Sequence, residues 1–235
     1  MKKEIEPIAR IRTDFPDKFG IPRQSGLVPS LTGFIIFEEP YRNVNAVRGI
    51  EEYSHLWLIW GFSKNQTKKF EPLVTPPRLG GKEKRGVFAT RSSFRPNGLA
   101  LSSVRLEEVI REEEKAPILK VSGIDMLDGT PIYDIKPYLP YADAHPDARG
   151  GFGEEHKNDR IRVIFPENLL EKLPEAMRES VTTVLEMDPR SAFQKKPDYV
   201  YGLAFGDYDI RFTVENDVLT VRDVVRRDQN FSAVK

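Results

Sequence analysis

Seven short apolar segments follow one another up to Tyr138, and almost nothing helical separates them. They are Ile5–Arg12 (IEPIARIR), Gly33–Glu38 (GFIIFE), His55–Phe62 (HLWLIWGF), Gly86–Thr90 (GVFAT), Gly98–Ile110 (GLALSSVRLEEVI), Ile118–Met126 (ILKVSGIDM) and Pro131–Tyr138 (PIYDIKPY). Runs of this length, rich in β-branched and aromatic residues and bounded by turn residues, predict strands. Six or seven strands without crossover helices predict an antiparallel barrel or sandwich and exclude a doubly wound sheet. Alternation in Leu99–Val109 predicts one wet face, whereas the continuously apolar His55–Phe62 predicts a strand buried on both faces.

A different pattern follows. The glycines and charges of AHPDARGGFGEEHKNDR predict a linker, which divides the chain into a barrel over 1–148, a linker over 149–162 and a small α+β unit over 163–235. In that last unit Leu169, Leu170, Leu173, Met177, Val181 and Val184 recur at helical spacing, and Pro174 divides two helices. Two alternating runs, Asp198–Asn216 and Asp217–Val225, then meet at a hairpin signal around Asn216. The fold class expected is mainly β, a barrel followed by a small α+β C-terminal domain.

Composition narrows the chemistry. With 39% apolar and 10% aromatic residues, the chain can bury a core and is not globally disordered. The absence of cysteine excludes disulfides, thiolate metal sites and cysteine nucleophiles. His55, His145 and His156 stand far apart, so no metal site is expected. No apolar run reaches the ~18 residues of a membrane span, and the N-terminal residues lack a signal-peptide core. A soluble, cytoplasmic protein without membrane contact is the expectation.

Thirty-six basic residues balance thirty-six acidic ones, yet the balance is not local. Between Lys64 and Arg105 stand Lys64, Lys68, Lys69, Arg78, Lys82, Lys84, Arg85, Arg91, Arg95 and Arg105, against Glu71 and Glu83 alone. Each lysine taken singly is an ordinary solvated residue. Ten cations against two anions, in a segment punctuated by glycine and proline, predict a loop that meets an anionic ligand.

Motifs for nucleotide folds are missing: there is no Gly-x-Gly-x-x-Gly after a strand, and RLGGKEKRG lacks the Walker ending. Three rigid polar loops remain. Ile21–Pro29 presents Arg23, Gln24 and Ser25 between prolines; Ala89–Ser102 presents Arg91, Ser92, Arg95 and Asn97; and Met126–Asp143 carries the Asp128-Gly129 turn, Thr130, Asp134 and Lys136. Polar loops at strand ends are where small-molecule sites are built. An arginine, Arg23 or Arg91, suits a carboxylate; carbonyls of 128–130 suit an exocyclic amine; Phe62 and Phe94 suit a flat ring. That combination fits S-adenosylmethionine and fits several other nucleotides equally.

IPRQSGLV, AVRGIEEYSHLWLI, PPRLGG, GVFATRSSFRPN and DGTPIYDIKPYLPYAD, in this order, resemble the TsaA-like, TrmO-type tRNA (adenine-37 N6) methyltransferases, the YaeB-like proteins. The likeness is dense over about residues 4–145 and thins to LEMDPRSAFQ (Leu185–Gln194), similar to that family's Asp-Pro-Arg motif. It implies an S-adenosylmethionine-binding β-barrel, acting as a homodimer on the anticodon loop of tRNA and methylating N6 of a threonylcarbamoylated adenosine 37. Cofactor contacts then fall on Pro22, Arg23, Gln24, Phe62, Ser63, Arg91, Leu101, Leu127, Asp128, Gly129 and Thr130. The RNA contacts expected are Lys64, Arg85, Arg95, Lys136 and Arg190. No general base is identified; Arg91, Asn97 and Asp134 are the candidates for a catalytic role. The chain departs from the family pattern at Gly98-Leu99-Ala100, where a proline is lost, which predicts a looser loop, and at Ser63, where the family often has histidine. An alternative reading is a regulatory module that binds S-adenosylmethionine or tRNA without catalysis.

Overall fold

A computed structural model describes residues 3–64, 70–76, 79, 83–155, 159–190, 196 and 199–227. Lys68, Lys69, Arg78 and Lys82 of the basic segment, the glycine pair Gly80-Gly81, His156 and residues 191–194 lie outside the described residues. The described strands are β1 (Ala9–Thr13), β2 (Thr32–Phe37), β3 (His55–Gly61), β4 (Leu73–Val74), β5 (Arg85–Gly86), β6 (Leu99–Ile110), β7 (Ile118–Ser122), β8 (Pro131–Pro137), β9 (Arg162–Ile164), β10 (Tyr201–Phe205), β11 (Tyr208–Glu215) and β12 (Val218–Arg226). The described residues also form the α-helices α1 (Pro140–Asp143), α2 (Phe152–Glu155), α3 (Glu167–Leu170) and α4 (Glu175–Glu186).

Six strands close an antiparallel barrel in the order β1-β2-β7-β6-β3-β8. Closure leaves no barrel edge, so every strand finds a partner on each side. The interior follows the two-residue period: Ala9 and Ile11, Ile35 and Phe37, Leu56 and Leu58, and Leu119 and Val121 are all buried. β3 corrects one expectation. Leu56, Leu58 and Trp60 are buried, but His55, Trp57 and Ile59 on the opposite face are half-buried. That outer face is only partly roofed, by Tyr138 packed on Trp57 and by Asp143, which accepts the Trp57 indole N–H at 2.9 Å. Gly61 closes β3 because the Tyr133 ring lies where a side chain would go: an added Cβ would stand 2.7 Å from it. Tyr133 is the extra residue of a bulge in β8, opposite Ile59 and Trp60.

Other boundaries shift for local reasons. Strand β1 begins at Ala9, after Glu6-Pro7. The expected strand Gly86–Thr90 is two residues of β5 followed by a 3₁₀ turn, Val87–Ala89. β7 stops at Ser122 because Gly123 takes a left-handed φ of 71°.

The C-terminal sheet runs β10-β11-β12-β9, with β9 parallel to β12. Pro174 does separate two helices, α3 and α4. The Asn216-Asp217 hairpin is a two-residue turn with both φ values positive, 48° and 59°, which matches strand twist. A second hairpin was not anticipated: Gly206-Asp207 folds Asp198–Asn216 into two strands, β10 and β11. β9, which begins at the end of the expected linker, was not anticipated either.

One core cluster runs through both sheets. The connection is the long β1–β2 loop. Phe15 meets Phe205 edge-on at 5.3 Å, and Phe19 stacks on Phe212 at 6.3 Å. The Gly206 N–H donates to the Asp14 carbonyl at 2.7 Å, and the Ser180 hydroxyl of α4 donates to Ser30 at 3.0 Å. Gly20, with φ of 87°, is obligatory here, since an added Cβ would lie 2.3 Å from Leu203.

Candidate functional site

The loop seated on the C-terminal sheet also forms one wall of a cavity. About 660 Å³ is enclosed by Ile21–Gln24, the end of β3 with Phe62 and Ser63, the Thr90–Arg95 segment, the start of β6, and Asp125 to Thr130. These five stretches are far apart in sequence, and barrel closure brings them to one end. The volume lies within the 300–1,000 Å³ usual for small-molecule sites.

Of the residues expected to meet a cofactor, Pro22, Arg23, Gln24, Phe62, Ser63, Arg91, Leu101, Leu127 and Thr130 line the cavity. Asp128 and Gly129 do not; they brace the turn from outside. The Asp128 carboxylate accepts from the Thr13 N–H at 3.0 Å and pairs with Arg12 at 3.2 Å, while the Gly129 N–H donates to the Ile11 carbonyl at 2.8 Å. This bracing turns Leu127 and Thr130 inward, and the Thr130 hydroxyl donates to the Leu127 carbonyl at 2.7 Å. Across the cavity the Arg91 guanidinium donates to the Gln24 side-chain carbonyl at 2.5 Å, joining two of the walls.

The remaining candidates separate clearly. Lys64 and Arg95 line the cavity mouth; the Arg95 guanidinium donates to the Thr90 carbonyl at 3.2 Å. Asn97 is exposed and outside the cavity, in a turn closed by the Gly98 N–H on the Arg95 carbonyl at 3.1 Å. Gly98 has φ of 59° and its carbonyl accepts from the Phe62 N–H at 3.1 Å, which anchors the altered segment at its C-terminal end. Asp134 does not line the cavity; it pairs with Lys136 at 3.0 Å on the barrel's outer surface. Arg85 is exposed and pairs with Glu83 at 2.7 Å.

Arg190 is the clearest correction. Its side chain is 5% exposed, held by Asp188 through Nε at 2.8 Å and a terminal nitrogen at 2.9 Å, and it lies over the Tyr201 ring. Asp188 adopts φ of 49° just beyond α4 to make that fork. A guanidinium so engaged braces the chain and is not presented to RNA.

Sequence reasoning missed two cavity residues, Trp60 and Asp125, and the buried Ser102 that links them. The Trp60 indole N–H donates to Ser102 Oγ at 2.9 Å, and that hydroxyl donates to Asp125 Oδ1 at 2.7 Å. Asp125 keeps part of its surface open, yet desolvation pushes its carboxyl up to about 6. The Ser102 hydroxyl, the backbone N–H groups of Asp125 and Ser25, and the Arg91 charge oppose that rise. An acid flanked by Ile124 and Met126 was the available signal.

Outside the cavity, next to its arginines, aromatic surface is left uncovered. Phe88 is 73% exposed and stacks on Phe70 at 6.2 Å, and Phe94 is also exposed.

A closed antiparallel barrel with an arginine-bearing cavity at its mouth, backed by a small mixed sheet, defines a small-molecule-binding barrel protein with a cationic rim. The tRNA-methyltransferase O N-terminal domain matches residues 10–144, and the TrmO C-terminal domain matches residues 158–227. The chain is 39% identical over 219 residues to the tRNA (adenine(37)-N6)-methyltransferase of Escherichia coli K12, covering 90% of this chain and 93% of that protein. It is 40% identical over 237 residues to the putative S-adenosylmethionine-dependent methyltransferase RcsF of Pseudomonas aeruginosa PAO1, covering 97% and 100%. A crystal structure of TrmO from Pseudomonas aeruginosa superposes with a TM-score of 0.74 at 36% identity, over 96% of this chain and 100% of that one. The protein belongs to the TrmO family.

Proposed function

We propose that this protein is an S-adenosylmethionine-dependent methyltransferase acting on N6 of adenosine 37 in the anticodon loop of tRNA. The observation that carries the reading is the cavity itself, where five separated stretches converge on a volume suited to an amino-acid-bearing nucleoside. The cofactor supplies a methyl group activated by a sulfonium centre.

The cavity's own residues suit such a guest. Arg91, fixed by Gln24, offers a guanidinium to an amino-acid carboxylate, and Trp60 and Phe62, with ring centroids 4.8 Å apart, offer an aromatic corner. Pro22, Leu101 and Leu127 supply apolar wall, and Thr130 holds the turn. Binding both partners in one site aligns the reacting atoms, which is most of what such a displacement needs. The rim of Lys64 and Arg95, with exposed Phe88 and Phe94 nearby, suits an unstacked RNA loop, whose phosphates meet cations and whose bases meet rings.

The finer reading is a homodimeric, cytoplasmic enzyme whose acceptor adenosine already carries a threonylcarbamoyl group. No helix among the described residues is long and apolar enough to cross a membrane. Mass spectrometry of tRNA nucleosides from cells lacking the protein tests substrate and reaction together. The expected result is loss of one methyl from a hypermodified adenosine, restored by the purified protein with S-adenosylmethionine. Cofactor binding without methylation of that tRNA would refute the enzymatic reading and leave a binding module.

A further inference from the structure

Five cations line the cavity, Lys18, Arg23, Lys64, Arg91 and Arg95, and among the described lining residues Asp125 is the only acid. The remaining polar side chains there are Gln24, Trp60 and the hydroxyls of Ser63, Thr90, Ser93 and Thr130. An amide, an indole and an alcohol do not take a proton near neutral pH, and arginine and lysine arrive already protonated. No histidine is among the described lining residues, so of their side chains Asp125 alone can take a proton near neutral pH.

The methyl acceptor releases such a proton. The lone pair of an adenine N6 is drawn into the ring, and into the carbonyl if the nitrogen is carbamoylated. Methylation at N6 therefore leaves a cationic nitrogen unless the N–H proton departs. We infer that Asp125 is the general base of this enzyme and that Ser102, anchored by Trp60, is its positioning residue. N6 forms its bond to the methyl carbon as the carbon–sulfur bond breaks, the N–H electron pair stays on nitrogen, and the proton passes to Asp125, which becomes a neutral acid. The inference rests on the methyltransferase reading above.

Hydrogen-bond direction supports the assignment. An indole nitrogen only donates, so Ser102 Oγ accepts from Trp60 and its single proton is committed to Asp125 Oδ1. That oxygen is fixed as an acceptor, and the carboxylate plane is fixed with it. A carboxylate has more lone pairs than the serine hydroxyl and the backbone N–H groups occupy, which leaves capacity on the cavity side. A base oriented by a second residue, itself oriented by a third, is the usual architecture of proton transfer in enzymes. Arg91 from the 90–95 segment favours its ionised form, and the other charged side chains lining the cavity are all cations: Lys18 and Arg23 from the β1–β2 loop, Lys64 beyond β3, and Arg95. With the carboxyl held near 6, the base is charged at neutral pH and still basic enough to matter.

The test measures cofactor affinity by calorimetry and kcat against pH on the full chain with unmethylated tRNA. Asp125→Asn should lower kcat about 10²-fold or more while changing the S-adenosylmethionine Kd less than about threefold, and the acid limb near pH 6 should disappear. Ser102→Ala removes a bond that favours the carboxylate, so its acid limb should move to higher pH with cofactor affinity unchanged. If Asp125→Asn abolishes cofactor binding in a folded protein, the residue recognises the cofactor and the assignment as base is wrong. Equal kcat in Asp125→Asn and wild type overturns it as well. Should Asp125→Asn not fold, Ser102→Ala decides alone, and an unmoved acid limb is the negative result. A wild-type protein that binds cofactor but methylates no tRNA defeats the methyltransferase reading instead.

Discussion

Two segments face each other across the cavity, and they are built in opposite ways. The β1–β2 loop, residues 14–31, is part of the core: Phe15, Val28 and Leu31 are at most 2% exposed, and the C-terminal sheet packs behind it. The 88–98 segment is held by its own short hydrogen bonds, among them the Thr90 hydroxyl on the Val87 carbonyl and the Phe94 N–H on the Ser92 hydroxyl. Its anchors are Val87 at one end and the Gly98 carbonyl on Phe62 at the other, with Phe88 and Phe94 left in solvent between them. One wall is set by folding. The other buries no side chain between residues 88 and 98, so few apolar contacts add to the Arg91–Gln24 bond in opposing its opening. A rigid wall suits a small cofactor of fixed shape, and a yielding one suits an RNA loop that must be admitted and released. The C-terminal sheet therefore supports one cavity wall from behind and contributes none of the described lining residues.

The sharpest way to break this contrast is Phe205→Ala. Phe205 is 1% exposed and fills the space against Phe15, so its loss should destabilise the fold by about 3–5 kcal/mol, read as a shift of the urea midpoint. S-adenosylmethionine affinity should fall with it, though the residue lies outside the cavity. Affinity unchanged in a folded variant would show that the loop holds its shape without the sheet. Next in size comes Arg91→Ala, which removes a charge-assisted contact from the yielding wall. A loss of about 1.5 kcal/mol, roughly tenfold in cofactor Kd by calorimetry, is expected with stability unchanged. No change in either Kd or methylation would mean that Arg91 is not a ligand.

How far the sequence disclosed these walls depends on the range of the interactions. The barrel was legible because turn residues and β-branched runs act locally, and so was the Asn216-Asp217 hairpin. Gly206-Asp207 carried the same kind of signal, hidden inside a run that alternates without a break. Arg23, Gln24 and Arg91 were found as rigid polar loops, which is a local property too. Non-local facts were not legible. Nothing in Arg190 itself says that Asp188 folds back to hold it, and nothing in Asp128 says that it braces the turn from outside. Asp125, Ser102 and Trp60 lie on three separate segments, and barrel register alone makes them a chain of hydrogen bonds. Likewise the docking of Phe19 on Phe212 joins residues that no periodicity connects.

The smallest expected effect probes the yielding wall most directly. Phe88 is 73% exposed and its only aromatic neighbour among the described residues is Phe70, so Phe88→Ala should leave stability within about 0.5 kcal/mol. Cofactor affinity should not move, because Phe88 does not line the cavity. What should change is tRNA affinity, by about 1 kcal/mol or roughly fivefold, if the ring stacks on an unpaired base. Stacking and charge can be told apart by salt. Arg95→Ala should flatten the dependence of log Kd on log salt by nearly one, whereas Phe88→Ala should weaken binding equally at every salt concentration. Electrophoretic or fluorescence titrations at three ionic strengths distinguish the two. A Phe88→Ala variant whose loss of affinity vanishes at high salt would show that the aromatic surface is not a base platform. The wall would then be electrostatic alone, and its uncovered rings would face something other than RNA.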